Sequence, residues 1–304
     1  MNAGPVTTVT AAAVGVLPER AVPGAGNGSG NGTGNGAERV RLPRRVWVGT
    51  GIVTAYVLVA VLAPLIAPYD PLEQDIANAL ADPSPAHWLG TDELGRDVVS
   101  RLVYASRIDL LVGFLGAALP AVLGTVLGAI AGFRGGWVDG VIMRISDVVQ
   151  AFPTYILIIA LVFVLGPGVP SILVAFTLIA WVAYARLIRT EVLRTRGLEY
   201  VSAARASGLS PRRVLWRHVF PNSVGQTLVY LPSDIVGATL GLAALSFLGL
   251  GIQAPTPEWG AMIAAGQPYI REQWWLSTVP GLLVVGFGLG LSLIGEGIEE
   301  WTRK

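Results

Sequence analysis

Residues 186–217 read RLIRTEVLRTRGLEYVSAARASGLSPRRVLWR, and their reading decides how the rest of the chain must be placed. The stretch carries eight arginines and lies between two apolar runs, 169–188 and 224–252. Short arginine-rich loops stay on the cytoplasmic side of a membrane, so this one marks the inside. Further apolar runs lie at 46–67, 109–133, 138–165 and 277–297. About 20 apolar residues cross a hydrocarbon core of about 30 Å as a helix. The expected fold class is therefore an all-α membrane protein with six transmembrane helices.

The remaining basic residues fix the orientation. With the N-terminus inside, Arg39, Arg41, Arg44, Arg45, Arg134, the eight loop arginines, Arg303 and Lys304 share the cytoplasmic side. Only Arg96, Arg101, Arg107 and Arg271 fall outside. The opposite orientation exports the densest basic loop, so both termini are placed in the cytoplasm, N-in and C-in. The composition agrees: 53% of residues are hydrophobic and 13% charged, against about 25% charged in soluble domains. A net charge of +1 gives no basis for a nucleic-acid partner.

Several chemistries are excluded. The chain has no cysteine, so disulfides, thiolate catalysis and cysteine metal sites are out. His87 and His218 are far apart and show no ligand spacing. Lys304 is the only lysine, so no Walker A loop exists to grip a nucleotide's phosphates. No GxSxG or HExxH motif occurs, and no catalytic or metal-binding residue is expected.

Residues 1–45 are expected to be a disordered cytoplasmic tail, because GAGNGSGNGTGNG at 24–36 has too much backbone freedom to order. Its two sequons, at Asn27 and Asn31, then lie on the cytoplasmic side and are read as chance. The mildly apolar stretch 6–17 lacks a basic leader and is not read as a signal peptide. Residues 46–104 are assigned to the first span plus an extracytoplasmic segment, with 68–106 too charged to span. Residues 105–300 form the membrane core, with a cytoplasmic loop at 190–222.

Within the spans, Gly124, Gly128 and Gly132 repeat every four residues, as do Gly237 and Gly241, the spacing of close helix packing. Pro120, Pro153, Pro232 and Pro280 are expected to kink their helices. Asp139, Arg144 and Asp147 open the third span; Arg144 and Asp147, three apart, are expected to pair. Asp234 sits about half-way along the fifth span, where a carboxylate needs a reason. Either it contacts a cationic solute in a pathway or it has a buried partner on another helix; the sequence leaves both open. Glu296, Glu299 and Glu300 read as the cytoplasmic end of the last helix.

The loop itself has internal grammar. Residues 199–208, EYVSAARASG, read as a short helix stopped by Gly208. Ser210 suits an N-cap and Pro211 a first helical position. A second basic helix then covers 211–220 and ends before Pro221 and Asn222. Charge alone accounts for a basic loop, but it does not call for Ala-Ala, three residues and Gly, or for a capped turn.

That segment resembles the EAA loop of ABC importer permeases: Glu-Ala-Ala, three residues, Gly, nine residues, Ile, one residue, Leu-Pro. Ala203, Ala204, Gly208 and Pro221 fall on the pattern, while Ser202, His218 and Phe220 replace its Glu, Ile and Leu. Tyr200, Val201, Arg205, Arg217, His218 and Asn222 match the form carried by the dipeptide/oligopeptide/nickel branch. HWLGTDELGRD at 87–97, GGWVD at 135–139 with Ala151-Phe152-Pro153, and LSFLGLG at 245–251 followed by PTPEWG at 255–260 are similar to C-type permeases of that branch. Leu242 stands where the branch carries an acidic residue.

The resemblance implies a type I ABC importer fold in the cytoplasmic (inner) membrane of a bacterium. It implies a second homologous permease subunit, two ATP-binding cassette subunits holding ATP and magnesium, and an extracytoplasmic solute-binding protein. Glu199, Ser202, Ala203, Ala204, Arg205 and Gly208 become the coupling helix that seats on an ATPase. The implied cargo is short peptides, with nickel or another small solute as the alternative, and Asp234 stays a candidate contact of the translocation pathway. An ion-coupled secondary transporter is the rival class; it needs a carboxylate relay, for which Asp234 stands alone.

Overall fold

The computed structural model describes residues 43–302, so residues 1–42 of the tail, its sequons, Arg39, Arg41, Arg303 and Lys304 lie outside the described residues, while Arg44 and Arg45 of the assigned tail already belong to a helix. Helix α1 covers Arg44–Val61 and is followed after a break at Leu62 by the short α2, Ala63–Ile66. Then come α3 (Val98–Arg134), α4 (Gly136–Gln150), α5 (Thr154–Leu165) and α6 (Val169–Thr195). The loop region holds α7 (Glu199–Ala206), α8 (Pro211–Val214) and α9 (Phe220–Ser223). Last are α10 (Gly225–Phe247), α11 (Trp259–Gly266) and α12 (Trp275–Thr302). No strand occurs among the described residues, only one isolated antiparallel bridge between Thr91 and Asp97.

Five helices, α1, α3, α6, α10 and α12, are each long and apolar enough to cross a bilayer. The sixth candidate is a bent pair, apolar enough only together: α4 and α5 meet at 89° across residues 151–153. A continuous third span over 138–165 is thus corrected. Pro153 is the cause, since it has no amide hydrogen and disfavours helical geometry in the residue before it.

Glycine rows set the packing. A Cβ on Gly124 would lie 2.2 Å from the Trp181 carbonyl oxygen, one on Gly128 2.3 Å from that of Ala185, and one on Gly132 2.8 Å from that of Arg189. These contacts advance in the same order along α3 and α6, so the two helices run parallel in backbone contact. Gly49 meets Gly290, and Gly297 meets Val46, which makes α1 and α12 antiparallel. Gly113 meets Thr239, and Thr125 bonds Thr227 at 3.0 Å, which makes α3 and α10 antiparallel. The start of α1 and the end of α12 therefore share one end of the bundle, where Arg45 reaches Glu296 at 3.4 Å. Of the second glycine pair, Gly241 packs on Phe176, but Gly237 meets nothing within 4 Å. The spacing there gave one packing glycine, not two.

The second span starts earlier than hydropathy suggests. Helix α3 begins at Val98, inside the segment judged too charged to span, and runs through the 104/105 boundary. Asp97 caps it by accepting the Ser100 amide at 2.7 Å. Arg101 is buried because its guanidinium finds Asp92 at 3.2 Å and the Pro71 carbonyl at 3.1 Å. Paired charges of this kind are invisible to a hydropathy window.

The third-span ion cluster also differs from expectation. Asp147 does not pair with Arg144; it accepts from Arg186 on α6 at 2.7 Å. Asp139 takes a two-point bond from Arg189, at 2.5 and 2.7 Å. Both carboxylates tie α4 across to α6 rather than along their own helix.

Candidate coupling site

The loop folds as two short helical pieces over a hydrophobic seat. Val201 on α7, Val214, Leu215 and Val219 are buried together with Ala129 of α3 and with Ile188 and Val192 of α6. Ala204, Leu209, Phe220 and Phe133 pack against the same cluster. The loop is thus clamped to the ends of two spans and does not float free at the surface. Arg196 reinforces the clamp by donating to the Gly132 carbonyl at 2.7 Å, closing the end of α3. The Arg205 guanidinium lies 5.3 Å from the centroid of the Phe133 ring.

Gly208 does what its type suggests. Its φ of +79° is left-handed, its amide donates to Arg205 at 3.0 Å, and the Leu209 amide donates to Ala204 at 3.4 Å. This pair of reversed bonds is a Schellman stop, which glycine adopts without strain. Ser210 occupies the N-cap position of α8, but its side chain makes no capping bond.

The second helix is not the single piece 211–220 that was expected. A π turn over Leu215–Val219 joins α8 to α9, which continues through Pro221 to Ser223. The Phe220 amide reaches back five residues to the Leu215 carbonyl, and the wider turn admits a proline that a regular helix rejects. A side-chain clasp holds the join: the His218 carbonyl accepts from Tyr200 Oη at 3.2 Å and from Asn222 Nδ2 at 2.7 Å. Asn222 also donates to Tyr200 at 3.1 Å. His218 therefore serves through its backbone, and no cluster of metal-ligating residues occurs among the described residues.

The expected coupling residues separate into two faces of α7. Glu199, Ser202, Ala203 and Ala206 are exposed and fall at helical spacing on one stripe. Arg205 and Gly208 are exposed beside it, whereas Ala204 turns inward to the hydrophobic seat. The outward surface is thus small and polar, one acid at its start and one arginine at its edge.

Asp234 has a buried partner on another helix: Tyr184 of α6, itself fully buried, donates to it at 3.0 Å. The Tyr184 ring also meets Tyr230 edge-on at 5.2 Å. Beside Asp234, Gln226, Tyr230, Ser233 and Gly237 form one exposed stripe on α10. Polar side chains exposed along a span belong at a water-filled or protein-covered surface rather than against lipid. Leu242, where the resemblance led to an acid being expected, is fully buried in an apolar cluster with Phe176 and Leu245.

The outer motifs have structural work that sequence reading did not assign. Asp92 accepts from the amides of Leu94 and Arg96 at 2.9 and 3.0 Å and from Arg96 Nε at 2.7 Å. His87 Nδ1 lies 2.9 Å from Asp97. Trp275 donates to the Leu89 carbonyl at 2.9 Å, binding this knot to α12. In the PTPEWG segment, Glu258 caps α11 through the amides of Gly260 and Ala261, and Trp259 donates to Asp109 and to the Leu102 carbonyl.

Known proteins match this chain over most of its length. A model of the binding-protein-dependent transport system inner membrane component covers residues 124–304. A second, the N-terminal transmembrane domain of oligopeptide transport permease C, covers 41–83. The chain is 39% identical over 253 residues to the dipeptide transport system permease protein DppC of Alkalihalophilus pseudofirmus, with 83% of each chain covered. It is 40% identical over 259 residues to DppC of Escherichia coli, covering 83% of this chain and 86% of the relative. It is 35% identical over 262 residues to the oligopeptide transport system permease protein OppC of Bacillus subtilis, covering 86% of both. The inward-facing MetNI methionine ABC transporter aligns with a TM-score of 0.54 at 17% identity, over 67% of this chain and 97% of that one. That likeness concerns the fold, and it is consistent with the type I importer arrangement expected from the loop. The chain belongs to the binding-protein-dependent transport system inner membrane components, the membrane permease subunits of ABC importers, and is not an enzyme.

Proposed function

We propose that this chain forms half of the translocation pathway of a bacterial importer for short peptides. It takes its motion from separate ATPase subunits through residues 199–222. The observation that carries the reading is the exposed Glu199, Ser202, Ala203 and Ala206 stripe, held rigidly on a seat shared with α3 and α6. A partner that grips this stripe moves the ends of both spans. The relatives' names support dipeptides and oligopeptides as the cargo. The second permease, the two ATPases with ATP and magnesium, the extracytoplasmic binding protein and the inner-membrane location follow from the same reading. So does a cytoplasmic placement of both termini. The polar stripe of α10, with Asp234 at its flank, is assigned to the pathway. Its single carboxylate, bonded to Tyr184, offers no relay for an ion-coupled transporter.

Two substitutions test the coupling assignment in the assembled importer, reconstituted in vesicles. Gly208 has open space around it, so Gly208→Asp adds left-handed strain and a charge on the outward face without an internal clash. Ala203→Trp puts bulk at the middle of the stripe. Both are expected to insert normally, to retain ATP hydrolysis and to lower peptide uptake at least about tenfold, equivalent to about 1.4 kcal/mol. Wild-type uptake in both variants sinks the assignment.

A further inference from the structure

A second surface at the basic end of the bundle lies apart from the exposed stripe of α7 and has a different chemistry. Between the last turn of α3 and the start of the second loop helix lies a groove of ≈ 390 Å³. Ile130, Phe133, Leu215 and Trp216 supply apolar walls, and Arg134 and Arg212 supply charge from two different elements. No acidic residue lines it. Arg134 and Arg212 are exposed. Neither they nor the neighbouring Arg213 and Arg217 have an acidic partner among the described residues, whereas Arg186, Arg189 and Arg194 do. On the other side of Trp216, an open hollow of ≈ 490 Å³ is bordered by Arg212, Arg213 and Arg217.

The placement of these groups relative to a bilayer matters. Ile130 and Phe133 close the apolar run of α3 and Arg134 follows it, so the positive-inside rule puts this end of the helix, and the groove beside it, at the cytoplasmic interface. Arg134 ends that helix, which puts the arginines at headgroup level, where tryptophan is also favoured. Cationic pockets beside spans on the cytoplasmic side suit anionic headgroups. We propose that this groove binds an anionic phospholipid of the cytoplasmic leaflet, its phosphate between Arg134 and Arg212 and one acyl chain along Ile130, Phe133 and Leu215. A carboxylate on a soluble partner would use the arginines but leave the apolar floor empty. The inference rests on the orientation of the spans and not on the coupling role of α7.

The test uses the whole importer assembly in phosphatidylcholine nanodiscs with graded phosphatidylglycerol, and reads retained lipid by native mass spectrometry. Wild type is expected to retain phosphatidylglycerol over phosphatidylcholine. R134Q/R212Q is expected to retain about tenfold less or lower still, because each arginine near an anionic surface adds to the attraction. R134K/R212K keeps the charge and retains the lipid, and R212Q alone, on an exposed loop position, gives an intermediate loss if the double variant assembles poorly. Excess inorganic phosphate leaves the bound lipid in place. Equal retention by wild type and R134Q/R212Q overturns the proposal, and so does displacement by phosphate, which marks a free-anion site. Loss of the ATPase subunits with lipid retention unchanged assigns these arginines to a protein contact and overturns it too. Ala203→Trp retains the lipid whether or not it uncouples uptake, so the two readings fail separately.

Discussion

At the scale of single residues, contact decides what spacing only suggests. Gly128 is a stringent test, because a methyl group there would sit 2.3 Å from a backbone oxygen that cannot swing aside. Gly128→Ala is expected to destabilise the chain by about 1–3 kcal/mol, the usual cost of overpacking. The measurement is the thermal unfolding midpoint of the purified chain in detergent. Gly237→Ala is the control: nothing lies within 4 Å, so the midpoint stays or rises slightly as helix propensity improves. Equal losses at both positions would refute the backbone-contact account. Both glycines stood in rows of four-residue spacing, and the sequence had no means to tell them apart. Asp147 teaches the same point: its local spacing to Arg144 was suitable, but Arg186 on another helix takes the bond.

At the scale of elements, the signals that could be read were those written into backbone chemistry. Gly208 announced a left-handed stop, and the stop is there. Pro153 announced a kink, but its size, a near right angle, depends on where α4 is tied, which is through Arg186 and Arg189. The start of α3 was missed because Arg101 and Asp92 look too polar for a helix beside a membrane until they are seen paired. Pro221 read as a terminator, yet the π turn before it lets the chain continue. The clasp at that turn is testable as an element. Asn222→Ala removes two bonds, to Tyr200 and to the His218 carbonyl, each worth about 0.5–1.5 kcal/mol net. Amide exchange in α7 is expected to quicken by roughly tenfold, the equivalent of about 1.4 kcal/mol. Exchange in the α3 core should not change. Uniform acceleration across both helices would mean that the clasp stabilises the whole fold and not the loop.

At the scale of the molecule, the proposed coupling calls for one continuous path of contacts. Parallel α3 and α6 are locked by the glycine row, and α6 runs straight into the coupling loop. Helix α4 is fastened to α6 by the two-point Asp139–Arg189 bond, whose side chains are 18% and 31% exposed. On the proposed coupling role, a displacement of α7 would pass to α6 and, through this ion pair, to the bent α4–α5 pair. The pair is charge-assisted and largely shielded, so each single reversal, Asp139→Arg or Arg189→Asp, is expected to cost about 1.5–3 kcal/mol. Either change leaves two like charges face to face, and uptake by the reconstituted importer should fall with the unfolding midpoint. The double reversal restores an ion pair between the same helices with its polarity exchanged. If transmission depends on that link, the double variant recovers a substantial part of both uptake and stability, giving a coupling energy that the singles do not predict. Recovery of stability without recovery of uptake would show that the bond holds the fold but carries no motion, and would break the path between α6 and α4.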